Sequence, residues 1–308
     1  MSIKAFSLSL LVIFMLSVLP GCQKKGYNPN LSDLGGVYSL DERDLEYGVE
    51  LSGRLSDSDE SIKGSDVRDL IVQSSSDGQY SNKLLSWGIS RKSDNTPPDA
   101  DPGAPQLLSK YGGIYIGDVN KKEVYLTFDE GYENGYTPKI LDVLRDNNVK
   151  AVFFITGPYL KNHQDLVRRM VEEGHIVGNH TIHHPSLPTI SDREIEEEVL
   201  GLERAFHEKF GKKMKYLRPP KGEYSERTLA ITQALGYRNV FWSFAYDDWY
   251  RDVHRGADYA YNIVMRNLHN GAVLLLHAVS KDNAEALDRI IKGIREKGYT
   301  IGSIEDIK

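Results

Sequence analysis

Residues 124–137 read VYLTFDEGYENGYT, an apolar run that stops abruptly at two acids and a glycine. The run 124–128 has the length and composition of a buried strand. Pro138 comes next and suits the first turn of a helix, where a missing N–H costs nothing. The unit reads strand, acidic loop, helix, and the same order recurs down the chain. Further strand candidates are 151–156, 175–179, 215–217, 240–244, 272–276 and 299–304. Helical patterns cover 138–147, 164–173, 192–210, 226–235, 257–268 and 284–297. Strands alternating with helices of this length indicate an α/β fold with a parallel sheet. Seven strand candidates without a glycine-rich dinucleotide fingerprint favour a closed or distorted (β/α) barrel over a doubly wound sheet.

Four more polar motifs end later apolar runs: NHTIHHP (179–185), RPPKGEYS (218–225), YDDW (246–249) and LLLHA (274–278). Asp129 and Glu130, His180, Arg218, Asp247 and Asp248, and His277 each follow a strand candidate. In a β/α barrel those strand ends open on one face, where active sites are built. Any one of these motifs has an ordinary explanation. An Asp-Glu pair is usually solvated, and a His after a buried strand is often a hydrogen-bonded core residue. Their shared placement argues for one site. A carboxylate at position 129 or 130 can act as general base or metal ligand. His180 and His184, four apart on a helix or tight turn, suit zinc or a similar divalent ion. Pro219 and Pro220 stiffen the backbone that aims Arg218. Asp248 beside His277 would raise the imidazole pKa and suit it to general-acid work. Together these are the parts of a metal-assisted hydrolase of amides or esters.

The chain has 308 residues, 40% of them hydrophobic, enough for one large domain plus a tail. A net charge of −6 leaves no basic footprint for nucleic acid. The single cysteine, Cys22, excludes an internal disulfide framework. Cys22 follows Lys4, an apolar stretch at 5–19 and Pro20-Gly21, so residues 1–22 resemble a bacterial lipoprotein signal with Cys22 as the lipidated residue. An uncleaved anchor or an ordinary secretory signal are the alternatives. Each puts the remainder outside the cytoplasm. Residues 23–86 are rich in Ser, Asp, Gly and Asn and read as an acidic, mostly disordered tether. A flexible chain of about 80 residues spans roughly 50 Å, which would lift a catalytic domain at 87–308 off the membrane.

The five motifs resemble the polysaccharide deacetylase family, also called the NodB-homology domain or carbohydrate esterase family 4. They occur in the family's order from about residue 120 to the C-terminus. Finer details resemble the muramic δ-lactam-forming peptidoglycan deacetylases of spore cortex: TFDEGYENGYT, RPPKGEYSERTL, NVFWSFAYDDW and LLLHAVSKDNAEAL. Trp87 and LLSKYGGIYIG (107–117) extend that likeness to roughly 83–308. The resemblance implies that Asp129 is the catalytic base and Arg218 holds it. It implies that His180 and His184 bind a divalent metal, zinc foremost, with manganese, cobalt or magnesium as alternatives. By the same resemblance the backbone N–H of Lys221 binds the oxyanion and Asp248 tunes His277, the acid. Leu275 and Trp249 would line the acetyl-methyl pocket. The broad family has Asp as third metal ligand where this chain has Glu130, and often Tyr where it has Lys221, an added cation.

The expected function is an extracytoplasmic, lipid-anchored peptidoglycan N-deacetylase acting on N-acetylmuramic acid, whose freed amine can close a lactam. The same chemistry on N-acetylglucosamine, in peptidoglycan or chitin-like oligomers, is one alternative. A non-catalytic glycan-binding lipoprotein is another.

Overall fold

The computed structural model describes residues 80–308. The expected signal segment 1–22, Cys22 and residues 23–79 of the expected tether lie outside the described residues. The strands in chain order are β1 (Leu85–Ser86), β2 (Ile89–Ser90), β3 (Asp99–Ala100), β4 (Glu123–Glu130), β5 (Val152–Ile155), β6 (Ile176–Asn179), β7 (Tyr216–Leu217), β8 (Glu223–Tyr224), β9 (Arg238–Asn239), β10 (Ala272–His277) and β11 (Thr300–Ile301). The helices are α1 (Ala104–Lys110), α2 (Thr137–Asp146), α3 (Gly157–Asn162), α4 (Gln164–Glu172), α5 (Asp192–Phe210), α6 (Glu226–Ala234), α7 (Ala257–Arg266) and α8 (Lys281–Glu296). The sheet runs β10-β4-β5-β6-β7-β9 with all neighbours parallel. It curls into a distorted barrel. The chain beyond β9 returns to β10 through a parallel bridge between Phe244 and Leu274.

Strand parity sorts the side chains into two layers. On β4, Val124, Leu126 and Phe128 face outward and pack with Ile140 and Leu141 of α2, Val167 of α4 and Leu287 of α8. Tyr125 faces the barrel interior with Val152 and Phe154 of β5 and Val273 of β10. Every β4 residue from Val124 to Glu130 is buried, as expected for a parallel strand covered on both faces. Each fully buried Leu, Val or Phe contributes about 1.5–3 kcal/mol, so this strand anchors the fold as well as the site. Helix ends follow the local chemistry. Ser191 and Glu194 form a capping box at the start of α5, and Gly211 ends that helix with φ 64°.

The structure refines three expectations. The segment 240–244 is not a regular strand: Val240 bridges Ile114 and Phe244 bridges Leu274, so its backbone is divided between two neighbours. The last candidate is the seventh strand of the sheet but a short one off its main path: β11 pairs parallel with Glu123 and Val124 at the start of β4. Residues 80–86, assigned to the tether, belong to the folded domain, since Leu85 and Ser86 pair antiparallel with β8. Among the described residues no helix is long and apolar enough to cross a membrane.

Candidate active site

The barrel interior parity of β4 continues through Thr127 to Asp129, and that of β10 through Leu275 to His277. Asp129 and His277 stand directly opposite one another in the β4–β10 register. Both line a pocket at the strand ends together with His180, His184, Lys221, Trp249 and Leu275. Pro219, Gly222, Trp242 and Ala245 complete its wall.

Asp129 is buried and takes a 2.6 Å hydrogen bond from Arg218 Nη1 on Oδ1. Arg218 is itself wholly buried. Its Nε donates to Val240 O at 3.1 Å and its Nη2 to Thr127 Oγ1 at 2.8 Å. Its guanidinium lies 4.2 Å over the Phe154 ring. Burial alone would raise the Asp129 carboxyl. The charge of Arg218, followed by His180 and His277, more than offsets this and holds the group below its ordinary value. Thr127 was not singled out from sequence. Its place two residues before Asp129, on the same strand face, was the available signal.

The two metal-ligand candidates sit on a tight turn. Thr181 and His184 both have left-handed backbone, φ 67° and 59°. The turn is held by Thr181 N–H donating to Asn179 Oδ1 at 2.8 Å and His184 N–H donating to Thr181 Oγ1 at 3.0 Å. Such strain persists where surroundings over-determine it, typically at functional sites. The His180 and His184 rings lie 4.7 Å apart, nearly perpendicular. His180 Nδ1 is 2.8 Å from Arg218 O. A carbonyl only accepts, so Nδ1 carries the proton and Nε2 keeps its lone pair. Nε2 is 3.5 Å from Asp129 Oδ2. Burial holds both imidazoles below their ordinary pKa, His184 well below, with added repulsion from His180 and Lys221. Neutral imidazole is the metal-binding form. Among the described residues no three His, Cys, Asp or Glu side chains are gathered closely enough to hold an ion by themselves. The donor set fits an ion with open positions, two imidazoles with water and substrate completing the shell.

Glu130 has the parity of Val124, Leu126 and Phe128 and is turned out of the pocket into the helix layer. The place expected for a third ligand is therefore not at the pocket in this structure. Both carboxylate oxygens are buried, and no hydrogen bond of ordinary geometry reaches either. The hydroxyls of Thr137 and Tyr159 lie near, but Tyr159 donates to Glu133 at 3.1 Å instead. Burial, then repulsion from Glu133 and Asp129, pushes the Glu130 carboxyl well above its ordinary range. A carboxyl whose folded pKa is raised loses its contribution to stability as pH rises above the unfolded value. Glu130→Gln is therefore expected to stabilise the protein at pH 7 by about 1–3 kcal/mol. The gain should vanish below about pH 4. Thermal unfolding across pH measures it. Metal affinity, read by calorimetry, should not change; a drop of roughly tenfold or more would return Glu130 to the ligand set.

On the other side of the pocket, His277 Nδ1 lies 2.7 Å from Asp248 Oδ1. Asp248 Oδ2 accepts from the His277 N–H at 2.8 Å and from Asn283 Nδ2 at 2.5 Å. Burial alone would lower the His277 pKa; the charge and hydrogen bond of Asp248 override it and raise the group above its ordinary value. Trp249 lies edge-on to His277 at 5.8 Å. Asp247 takes no part, being paired with Arg255 at 2.6 Å. His183 is likewise diverted, to Glu198 at 2.5 Å. Asn283 was missed from sequence. It lies in the first turn of α8, where its N–H meets Ser280 Oγ at 3.2 Å, and only that turn brings it beneath Asp248. Lys221 has left-handed backbone, φ 60° and ψ 6°, followed by Gly222 at φ 66°. Its ammonium enters no ion pair or side-chain hydrogen bond among the described residues.

A carboxyl held below its ordinary pKa and an imidazole held above its own, on neighbouring strand ends beside a pair of imidazoles, are equipped to split an amide with water. Residues 116–240 match the family model described as polysaccharide deacetylase. Over 227 residues the chain is 45% identical to the peptidoglycan-N-acetylmuramic acid deacetylase PdaA of Bacillus subtilis (strain 168), covering 73% of this chain and 86% of that protein. The chain belongs to the polysaccharide deacetylase family. It is accordingly a hydrolase of amide bonds. It is also 51% identical over 228 residues to an uncharacterized 30.6 kDa protein in the fumA 3'region of Geobacillus stearothermophilus, covering 74% of this chain and 86% of that one. The solved structure of Bacillus subtilis PdaA, a family 4 carbohydrate esterase, shares the fold with a TM-score of 0.72. That match has 45% identity and covers 74% of this chain and 97% of the chain in the solved structure. Polysaccharide deacetylases of this fold are in general metal-dependent, in keeping with the imidazole pair.

Proposed function

We propose that the protein is an extracytoplasmic peptidoglycan N-deacetylase that removes acetate from N-acetylmuramic acid. The observation that carries the reading is the register of Asp129 against His277. Neighbouring strands lie about 4.8 Å apart, so a base and an acid flank one amide group. Asp129, kept ionised by Arg218, takes a proton from water as the water oxygen attacks the acetamide carbon. The backbone N–H of Lys221 donates to the developing oxyanion. Protonated His277, fixed by Asp248, gives its Nε2 proton to the departing nitrogen. Acetate and a free amine result. Trp249 and Leu275 flank the acetyl methyl. A divalent ion held by His180 and His184, zinc foremost, would polarise the carbonyl oxygen as a Lewis acid.

The muramic substrate is supported by the likeness to PdaA and by the Lys221 ammonium, which can pair with the carboxylate of a muramic lactyl group. Lipidation of Cys22, a membrane anchor and a role in spore-cortex lactam formation complete the reading. Mass spectrometry of peptidoglycan fragments treated with the full chain tests it. Parallel samples contain chelator or added zinc, manganese, cobalt or magnesium. Acetyl loss from muramic residues, abolished by chelator, is the expected result, and water loss from lactam closure is scored separately. Free amines on glucosamine alone would overturn the substrate, and intact acetyl groups throughout would overturn the activity on peptidoglycan.

A further inference from the structure

Residues 80–91 precede the stretch that matches the family model, yet they touch three of the loops around the pocket. Beyond the β1–β8 pairing, the Trp87 N–H donates to Gly222 O at 2.8 Å. The Trp87 indole N–H donates to Trp242 O at 2.9 Å. Its buried ring packs on Phe241 at 4.7 Å and Tyr115 at 5.0 Å. Trp87 belongs to the same apolar cluster as Trp242, Ala245 and Leu275, which all line the pocket. Gly222 is held so closely that a Cβ there would lie 2.7 Å from the Trp242 ring and 3.4 Å from Trp87 Cβ.

Two further staples act beside Trp87. Asn82 Nδ2 donates to Pro188 O at 3.0 Å, and Asn82 Oδ1 accepts from Ser225 Oγ at 3.0 Å. Asn82 thereby joins the loop after His184 to the loop after Gly222. Arg91 donates to Ala245 O and lies 5.6 Å over the Phe244 ring. Lys221 is a non-glycine residue in left-handed backbone, a conformation that persists only when its surroundings enforce it. The turn that Lys221 opens is bounded at its next residue, Gly222, by the Trp87 N–H, the Trp87 Cβ and the ring of Trp242, whose carbonyl Trp87 holds.

We propose that residues 80–91 form a clasp that sets the geometry of the pocket, with Trp87 as the positioning residue for the Lys221–Gly222 turn. The inference rests on the reading of that turn as the oxyanion donor. A donor displaced by a fraction of an ångström weakens the transition state more than the bound substrate. The clasp should therefore act on kcat and leave KM and the ionisations of Asp129 and His277 in place.

Trp87→Ala, Trp87→Phe and Asn82→Ala in the full chain test this by two readouts, acetate-release kinetics and hydrogen exchange. Trp87→Ala should lower kcat about tenfold to a hundredfold. KM should move less than about threefold, and the limbs of the pH profile should not shift. Amides at 221–223 should exchange at least about tenfold faster while those of β4 do not. Trp87→Phe, which keeps the ring contact, should restore most of kcat. Unchanged kcat and unchanged exchange at 221–223 would overturn the clasp. So would a loss of rate that only tracks the unfolded fraction. If Trp87→Ala does not fold, Asn82→Ala decides, and unaltered exchange at 186–187 and 221–225 overturns the proposal. Exchange needs no turnover, so a wild type inactive on peptidoglycan would sink the substrate reading while the clasp is still decided.

Discussion

Asp129→Asn is expected to lower kcat by about 10²–10⁴-fold, with KM nearly unchanged and the fold retained. Asparagine keeps an oxygen for Arg218 Nη1 to donate to, at the position now 2.6 Å away. It cannot take a proton from water near neutral pH. The carboxylate is ready for that work because the Arg218 charge outweighs the burial that would neutralise it. Asp129→Ala is the less informative variant. It would strand a fully buried guanidinium, and breaking such a pair costs about 3–5 kcal/mol, so loss of activity would mix with loss of fold. Acetate-release kinetics alongside thermal unfolding separate the two. An Asn variant that retains more than about a tenth of wild-type kcat would remove Asp129 from the role of base.

The variant also bears on the Arg218 network as a unit. Arg218 ties Asp129 to Thr127, Val240 and Phe241, and its carbonyl fixes the tautomer of His180. One residue thus orients both the proposed base and a metal-ligand candidate. The neutral variant should loosen the base's hold on Arg218 without freeing the His180 proton, since that bond is made by backbone. Metal affinity of Asp129→Asn should therefore stay close to wild type.

How far the site was readable from sequence depends on the local rule each residue obeys. The long buried runs were legible because a parallel strand covered on both faces must be continuously apolar: 124–128, 151–156, 175–179 and 272–276 all overlap observed strands. Parity carried more than residue type. Thr127 and Asp129 share the interior face, and Glu130, one residue on, is sent to the helix layer. The acid pair could have been divided on that ground alone. By contrast, β1 and β8 have two residues each, too short for any period, so the clasp on the pocket left no pattern in the chain. The Asp247–Asp248 pair was ambiguous because selection between them rests on distant partners, Arg255 for one and His277 with Asn283 for the other. The irregular path of 240–244 follows from sharing its backbone between the 114–116 segment and β10, which composition does not encode.

Asp248→Asn should change the pH dependence of turnover rather than only its height. A general acid must be protonated, so kcat falls as pH rises through its pKa. In the wild type that fall should lie above the ordinary imidazole value, because Asp248 raises His277 against the effect of burial. With asparagine at 248 burial is opposed only by the charge of Asp129, and the folded pKa drops. The alkaline fall should then come at lower pH, and the loss of rate should be small near pH 6 and grow to about tenfold for each unit of displacement at higher pH. Stability obeys the same sign. A His with a raised folded pKa stabilises fully below its unfolded value, and that contribution disappears as pH rises through the folded one, so the variant's deficit in thermal unfolding should be greatest in acid. His277→Ala differs in kind: it removes the acid outright and should depress kcat about 10²–10⁴-fold with no alkaline limb left to move. Acetate-release profiles across pH for the two variants separate the proposed proton donor from the residue proposed to set when it can donate. An alkaline limb that stays in place in Asp248→Asn would assign that ionisation to some group other than His277.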